Sequence, residues 1–189
     1  MSHLAQGFGV KLKWLAVPDT DASLLAKALQ VGPLTPGAWA DAVANAYGNG
    51  WLFTPPIDGW TLVASTRLGP PIGQPAFVQW LGGLSGRIAN PVYYFCTHRV
   101  VELHGWAAAA EGQVARVYAY LGERDEVLVD IGETAEEELD LRHLHDDGPD
   151  AWRPDEEAVF ELAGAWTIDP RDLDGVETAT LPWTVKPAG

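Results

Sequence analysis

The chain is poor in cations. Its 189 residues hold 12 Lys and Arg against 26 Asp and Glu, a formal charge of −14 at pH 7. Nucleic acid and anionic membranes carry the same sign, so the charge weighs against both as partners. A single cysteine, Cys96, leaves no intrachain disulfide and fits a reducing compartment. No basic-plus-apolar leader opens the sequence, and no apolar run is long enough to span a bilayer. These absences set the expectation of a cytoplasmic protein with no membrane attachment. Catalytic signatures are missing too. There is no Gly-x-Gly-x-x-Gly after a strand, no phosphate-binding Gly-x-x-x-x-Gly-Lys, no Gly-x-Ser-x-Gly elbow and no His-Glu-x-x-His. Acids at Glu136–Glu138 and Asp146–Asp147 lack calcium-loop spacing. The sequence points to no cofactor and no metal.

What is present is a sheet former. From Asn90 to Asp130, β-branched and aromatic residues cluster between turn signals with no room for helices. That pattern predicts an antiparallel meander. Elsewhere, Val10–Val17 reads as a strand, and Asp19, Thr20 and Asp21 offer N-caps to a helix from Ala22 to about Gln30. Thr35-Pro36 reads as the start of a helix ending near Tyr47, with Trp39, Val43 and Tyr47 as its buried stripe. Trp51–Thr54 and Trp60–Ser65 read as strands, and Phe77–Ile88 as a glycine-rich helix packed closely on the sheet. Thr134 caps a short helix, and Pro154-Asp155-Glu156-Glu157 opens another that runs to about Trp166. The expected fold class is α+β: a meander sheet with helices packed on it, in one domain over residues 1–189. Residues 1–7 are expected to be a loose terminus and 175–189 an extended tail.

Read as one strand of period two, Val92–Trp106 places Cys96, His98, Glu102 and His104 on a single face. Thiol, imidazole and carboxylate can all bind zinc. Same-face neighbours lie about 7 Å apart, so Cys96 to His104 would span roughly 27 Å and could not share one ion. A cysteine among Tyr93, Tyr94 and Phe95 reads as a small buried hydrophobe rather than a nucleophile. His98, Glu102 and His104 remain as a polar face, either plain solvated surface or the cleft of an enzyme of unknown class. The acids are unevenly spread: sixteen fall between Glu123 and Glu161, against Arg124, Arg142 and Arg153. This surplus is either a solubilising surface or a docking surface for a basic partner.

Phe53–Val63, Thr97–Trp106, Val117–Glu123 and Ala165–Pro170 resemble motifs of a group of small bacterial proteins, some of which are similar to immunity proteins that neutralise a cognate toxin. The likeness covers about residues 50 to 170. It implies a binding protein of immunity or antitoxin type, rather more than an enzyme, that covers a basic protein partner such as a toxin domain. The residues expected to carry that contact are Asp146, Asp147, Asp150, Glu156 and Glu157, with Trp152 as the aromatic anchor. A self-associating homo-oligomer, with spare tryptophans buried between copies, is the third reading.

Overall fold

The structure is a computed structural model and describes residues 2–144 and 152–187. Eleven strands and five helices follow the chain in the order β1 (His3–Leu4), β2 (Lys13–Pro18), α1 (Ala22–Leu29), β3 (Thr35–Pro36), α2 (Trp39–Tyr47), β4 (Trp51–Phe53), β5 (Trp60–Ser65), α3 (Pro75–Ile88), β6 (Val92–His98), β7 (Leu103–Ala110), β8 (Gln113–Leu121), β9 (Glu126–Ile131), α4 (Glu136–Leu144), α5 (Glu156–Trp166), β10 (Glu177–Thr178) and β11 (Trp183–Val185). Nine strands form one antiparallel sheet in the order β3-β11-β4-β5-β2-β6-β7-β8-β9. The meander β6–β9 occupies one half of it, as its alternation requires. The fold class is α+β.

The sheet is buried on both faces. One core joins Leu15, Val63, Tyr94, Cys96 and Val117 to α1 and α3. The other joins Trp14, Leu62, Phe95, Trp106 and Tyr118 to α2, α4 and α5. Helix starts follow local chemistry. The Asp21 carboxylate accepts from Ser23 N at 2.6 Å, and that of Asp155 from Ala158 N at 2.9 Å. Close packing explains the glycines of α3. A Cβ on Gly82 would stand 2.9 Å from the carbonyl oxygen of Gly112, so the helix lies directly on the β7–β8 turn.

Four expectations are corrected. Residues 92–106 are not one strand but the hairpin β6–β7, with Thr97 opposite His104 and His98 opposite Leu103. A continuous strand of that length would far exceed the usual five or six residues. Thr35-Pro36 does not open α2. It pairs with Trp183 and Thr184, and the helix begins at Trp39 after an extended Ala38. Tyr47 is 41% exposed and so leaves the buried stripe. Strand β2 begins at Lys13, because Lys11 turns the backbone with φ 59°.

Segments near both ends of the described residues pair with the rest of the fold. His3 and Leu4 pair with Thr178 and Glu177, and Ala5 N donates to the carbonyl of Val176. Strand β11 lies inside the sheet, between β3 and β4.

Candidate functional site

The hairpin disperses the expected polar face. Opposed residues share a face, so His104 and Thr97 lie on the α5 side, whereas His98 lies with Leu103 on the other. Glu102 sits in the turn with φ 51°, its side chain against Gly122. The three residues therefore do not assemble into one site. His104 has other company. Its Nδ1 lies 3.0 Å from the Thr97 hydroxyl, which donates to Glu156 at 3.3 Å. Burial lowers the His104 pKa, and the charge of Asp155 acts against that shift. Thr97 and His104 are both buried, so this trio clips the first turn of α5 to the sheet.

Cys96 is 3% exposed, and burial pushes its thiol up to about 12 despite the nearby Lys13 charge. A thiol so rarely ionised is no nucleophile near neutral pH. Native Cys96 is expected to alkylate on the order of a thousandfold more slowly than in the urea-unfolded chain. Mass-spectrometric timing of iodoacetamide labelling reads this directly, and comparable rates in the two states would refute it. Among the described residues no group of three or more His, Cys, Asp or Glu side chains is placed to hold a metal ion. No helix among them is long and apolar enough to cross a membrane.

Of the residues expected to bind a partner, Asp146, Asp147 and Asp150 lie outside the described residues. Trp152 is half-buried. Its ring lies 5.8 Å from both Trp106 and Tyr118, with the Arg142 guanidinium 4.8 Å over it. It is partly a core residue. Glu157 is exposed and forms a bidentate pair with Arg171 at 2.8 and 2.9 Å. Glu156 faces Thr97. These two carboxylates are engaged within the fold.

The open acids lie elsewhere in the same segment. Glu123, Glu126, Glu133, Glu136 and Asp140 are exposed and have no ion-pair partner among the described residues. They follow the outer edge of the sheet: the turn before β9, the strand itself, and the first turns of α4. Apolar side chains are exposed along the same stretch, Val127 on the α5 side of the sheet opposite Tyr120 and Ile131 on the α3 side opposite Val117. Val127 is 50% exposed, Ile131 41% and Leu139 44%. Seven large hydrophobics are this exposed among the described residues, so three of the seven fall in this one short stretch. Sequence reading took the acids as a group but did not single out these positions.

The ridge is held from beneath. Arg116 on β8 forms a two-pronged pair with Glu138 on α4, Nε to Oε1 and Nη2 to Oε2 both at 2.8 Å. Its Nη1 also donates to Asp130 on β9 and to the carbonyl of Ile131. Burial opposes the Arg116 charge, yet the bonds from Glu138 and Asp130 hold its pKa above the usual arginine value. Gly132 completes the turn from β9 towards α4 with φ 84°. A Cβ there would overlap the carbonyl oxygen of Ala115. Edge strand and helix are thereby locked to each other.

Comparison with protein-family models, curated proteins and solved structures gave no match.

Proposed function

We propose that this chain is a cytoplasmic binding protein of immunity or antitoxin type, which neutralises a basic protein partner by covering it with the ridge formed by β9 and α4. The observation that carries this reading is the exposure of Val127, Ile131 and Leu139 along the same edge stretch as five carboxylates lacking ion-pair partners among the described residues. Apolar contacts supply the burial that makes a complex last, and the surrounding charge selects and steers a cationic partner. A purely solubilising surface has no need of exposed aliphatic groups among its acids. Asp146, Asp147 and Asp150 follow in the same acidic stretch of the sequence.

Self-association through this edge draws no support from charge: antiparallel pairing of β9 with a second copy, centred on Leu128, would set Glu126 opposite Asp130, whose carboxylate Arg116 already engages. The enzymatic reading loses support because His98, Glu102 and His104 lie apart.

Affinity capture from the source lysate, with neighbouring gene products co-expressed and salt varied, tests the proposal. A stoichiometric basic protein that is lost as salt rises is the expected result. Recovery of no partner at any salt would overturn it.

A further inference from the structure

At the opposite edge of the sheet the charge reverses. A hollow of about 540 Å³ opens where α1 ends and β3, β4 and β11 meet, and Gln30, Thr35, Trp51, Arg67 and Lys186 line it. A second hollow shares its Val31–Pro33 wall and is lined by Lys27. Among the described residues, no carboxylate lines either one. In a chain with 26 acids and 12 cations this is a marked local excess of positive charge. Lys27, Arg67 and Lys186 are exposed and have no ion-pair partner among the described residues. Three cations of the acidic half differ. Arg116, Arg153 and Arg171 are each tied to carboxylates.

The hollow is built rather than incidental. The Asn45 amide, presented by α2, donates to the carbonyls of Trp51 and Val185, both at 3.0 Å. One side chain thus fixes both strands of the wall. Gly50 leaves room for it, since a Cβ there would overlap the Asn45 amide. The half-buried Trp51 ring stacks on Phe53 with centroids 6.4 Å apart, which steadies it as a platform. The volume falls in the usual range for small-molecule sites, and the lining combines an aromatic surface with a few polar groups. An indole platform accepts a flat ring. Guanidinium and ammonium groups accept a carboxylate or a phosphate.

We infer that this hollow binds a small aromatic anion, its ring against Trp51 and its carboxylate or phosphate held by Arg67 and Lys186. The site stands apart from the acidic ridge, so either reading can fail without the other. Calorimetric titration of the intact chain with adenosine 5′-monophosphate and with indole-3-acetate tests it, with adenosine and inorganic phosphate as controls. One equivalent of at least one aromatic anion should bind, more tightly than either control. The double variant Arg67→Ala/Lys186→Gln alters two exposed side chains and should unfold at the wild-type temperature. Its affinity should fall at least about tenfold, as loss of charge-assisted hydrogen bonds requires. Failure of both anions to bind the wild-type chain would overturn the inference. So would binding that the double variant retains, or adenosine binding as tightly as its monophosphate.

Discussion

Replacing Glu138 with alanine is expected to cost about 3–5 kcal/mol of folding stability, the range for removing one partner of a buried ion pair. Glu138 is fully buried and Arg116 nearly so. Without Glu138, the Nε and Nη2 donors of Arg116 lose both oxygens of their two-pronged partner. Asp130 and the carbonyls of Val117 and Ile131 still engage Nη1, but none reaches the other side of the fork. The buried charge is then under-compensated. Removing both ends should cost less: Arg116→Met with Glu138→Leu replaces the pair by apolar volume and leaves no stranded charge. Urea unfolding of the two variants checks the ordering. Equal losses in the single and double variants would contradict it. The pair also fixes α4 on the sheet, so Glu138→Ala should loosen the helix that carries half of the acidic ridge.

The second large effect concerns Trp14. This fully buried indole lies between Phe95 and Phe160, with ring centroids 5.4 and 5.5 Å away and interplanar angles of 23° and 13°. The stack joins β2, β6 and α5, so it ties the sheet to the helix that covers its centre. Trp14→Ala should cost about 3–5 kcal/mol, the price of a large cavity in a close-packed core. Trp14→Phe should cost far less, for a specific reason. The Trp14 Nε1 group is buried with no hydrogen-bond partner among the described residues. Phenylalanine removes that donor, and relief of an unsatisfied group returns about 1–3 kcal/mol against the lost contact area. Thermal and urea unfolding of both variants would show the gap. A phenylalanine variant as unstable as the alanine variant would mean that shape complementarity of the indole, not burial, dominates the site.

Much of this architecture is legible in local chemistry. Asp21 and Asp155 announce their helices because a capping carboxylate acts within three residues. The close approach of α3 is readable in its glycines. What escapes reading is decided at long range. Strand β11 is three residues long, and pairing with β4 holds it in place. Nothing in Trp183-Thr184-Val185 alone separates an interior strand from an extended tail. The β6–β7 turn escapes for the opposite reason. Arg99, Val100, Val101 and Glu102 include none of the glycine, proline or asparagine that marks a turn, and Glu102 adopts a left-handed backbone that its type rarely visits. That one hidden turn sends His98 and His104 to opposite faces. The ridge was half readable. Its acids are plain in the sequence, but which of them are tied to Arg116, Arg153 or Arg171 depends on the fold. Trp152 looked free among charges, yet the fold sets it against Trp106 and Tyr118 beneath Arg142.

The most direct test of the ridge uses the basic partner recovered by capture. Its affinity for the wild-type chain would be compared with that for Glu133→Lys/Glu136→Lys/Asp140→Lys across a salt series. These three side chains are exposed, so the variant should keep the wild-type unfolding midpoint. The account predicts that reversal weakens binding by a hundredfold or more at low salt, roughly 3 kcal/mol, and flattens its salt dependence. A partner that binds both chains equally, with the same response to salt, would contradict the claim that β9 and α4 form the contact.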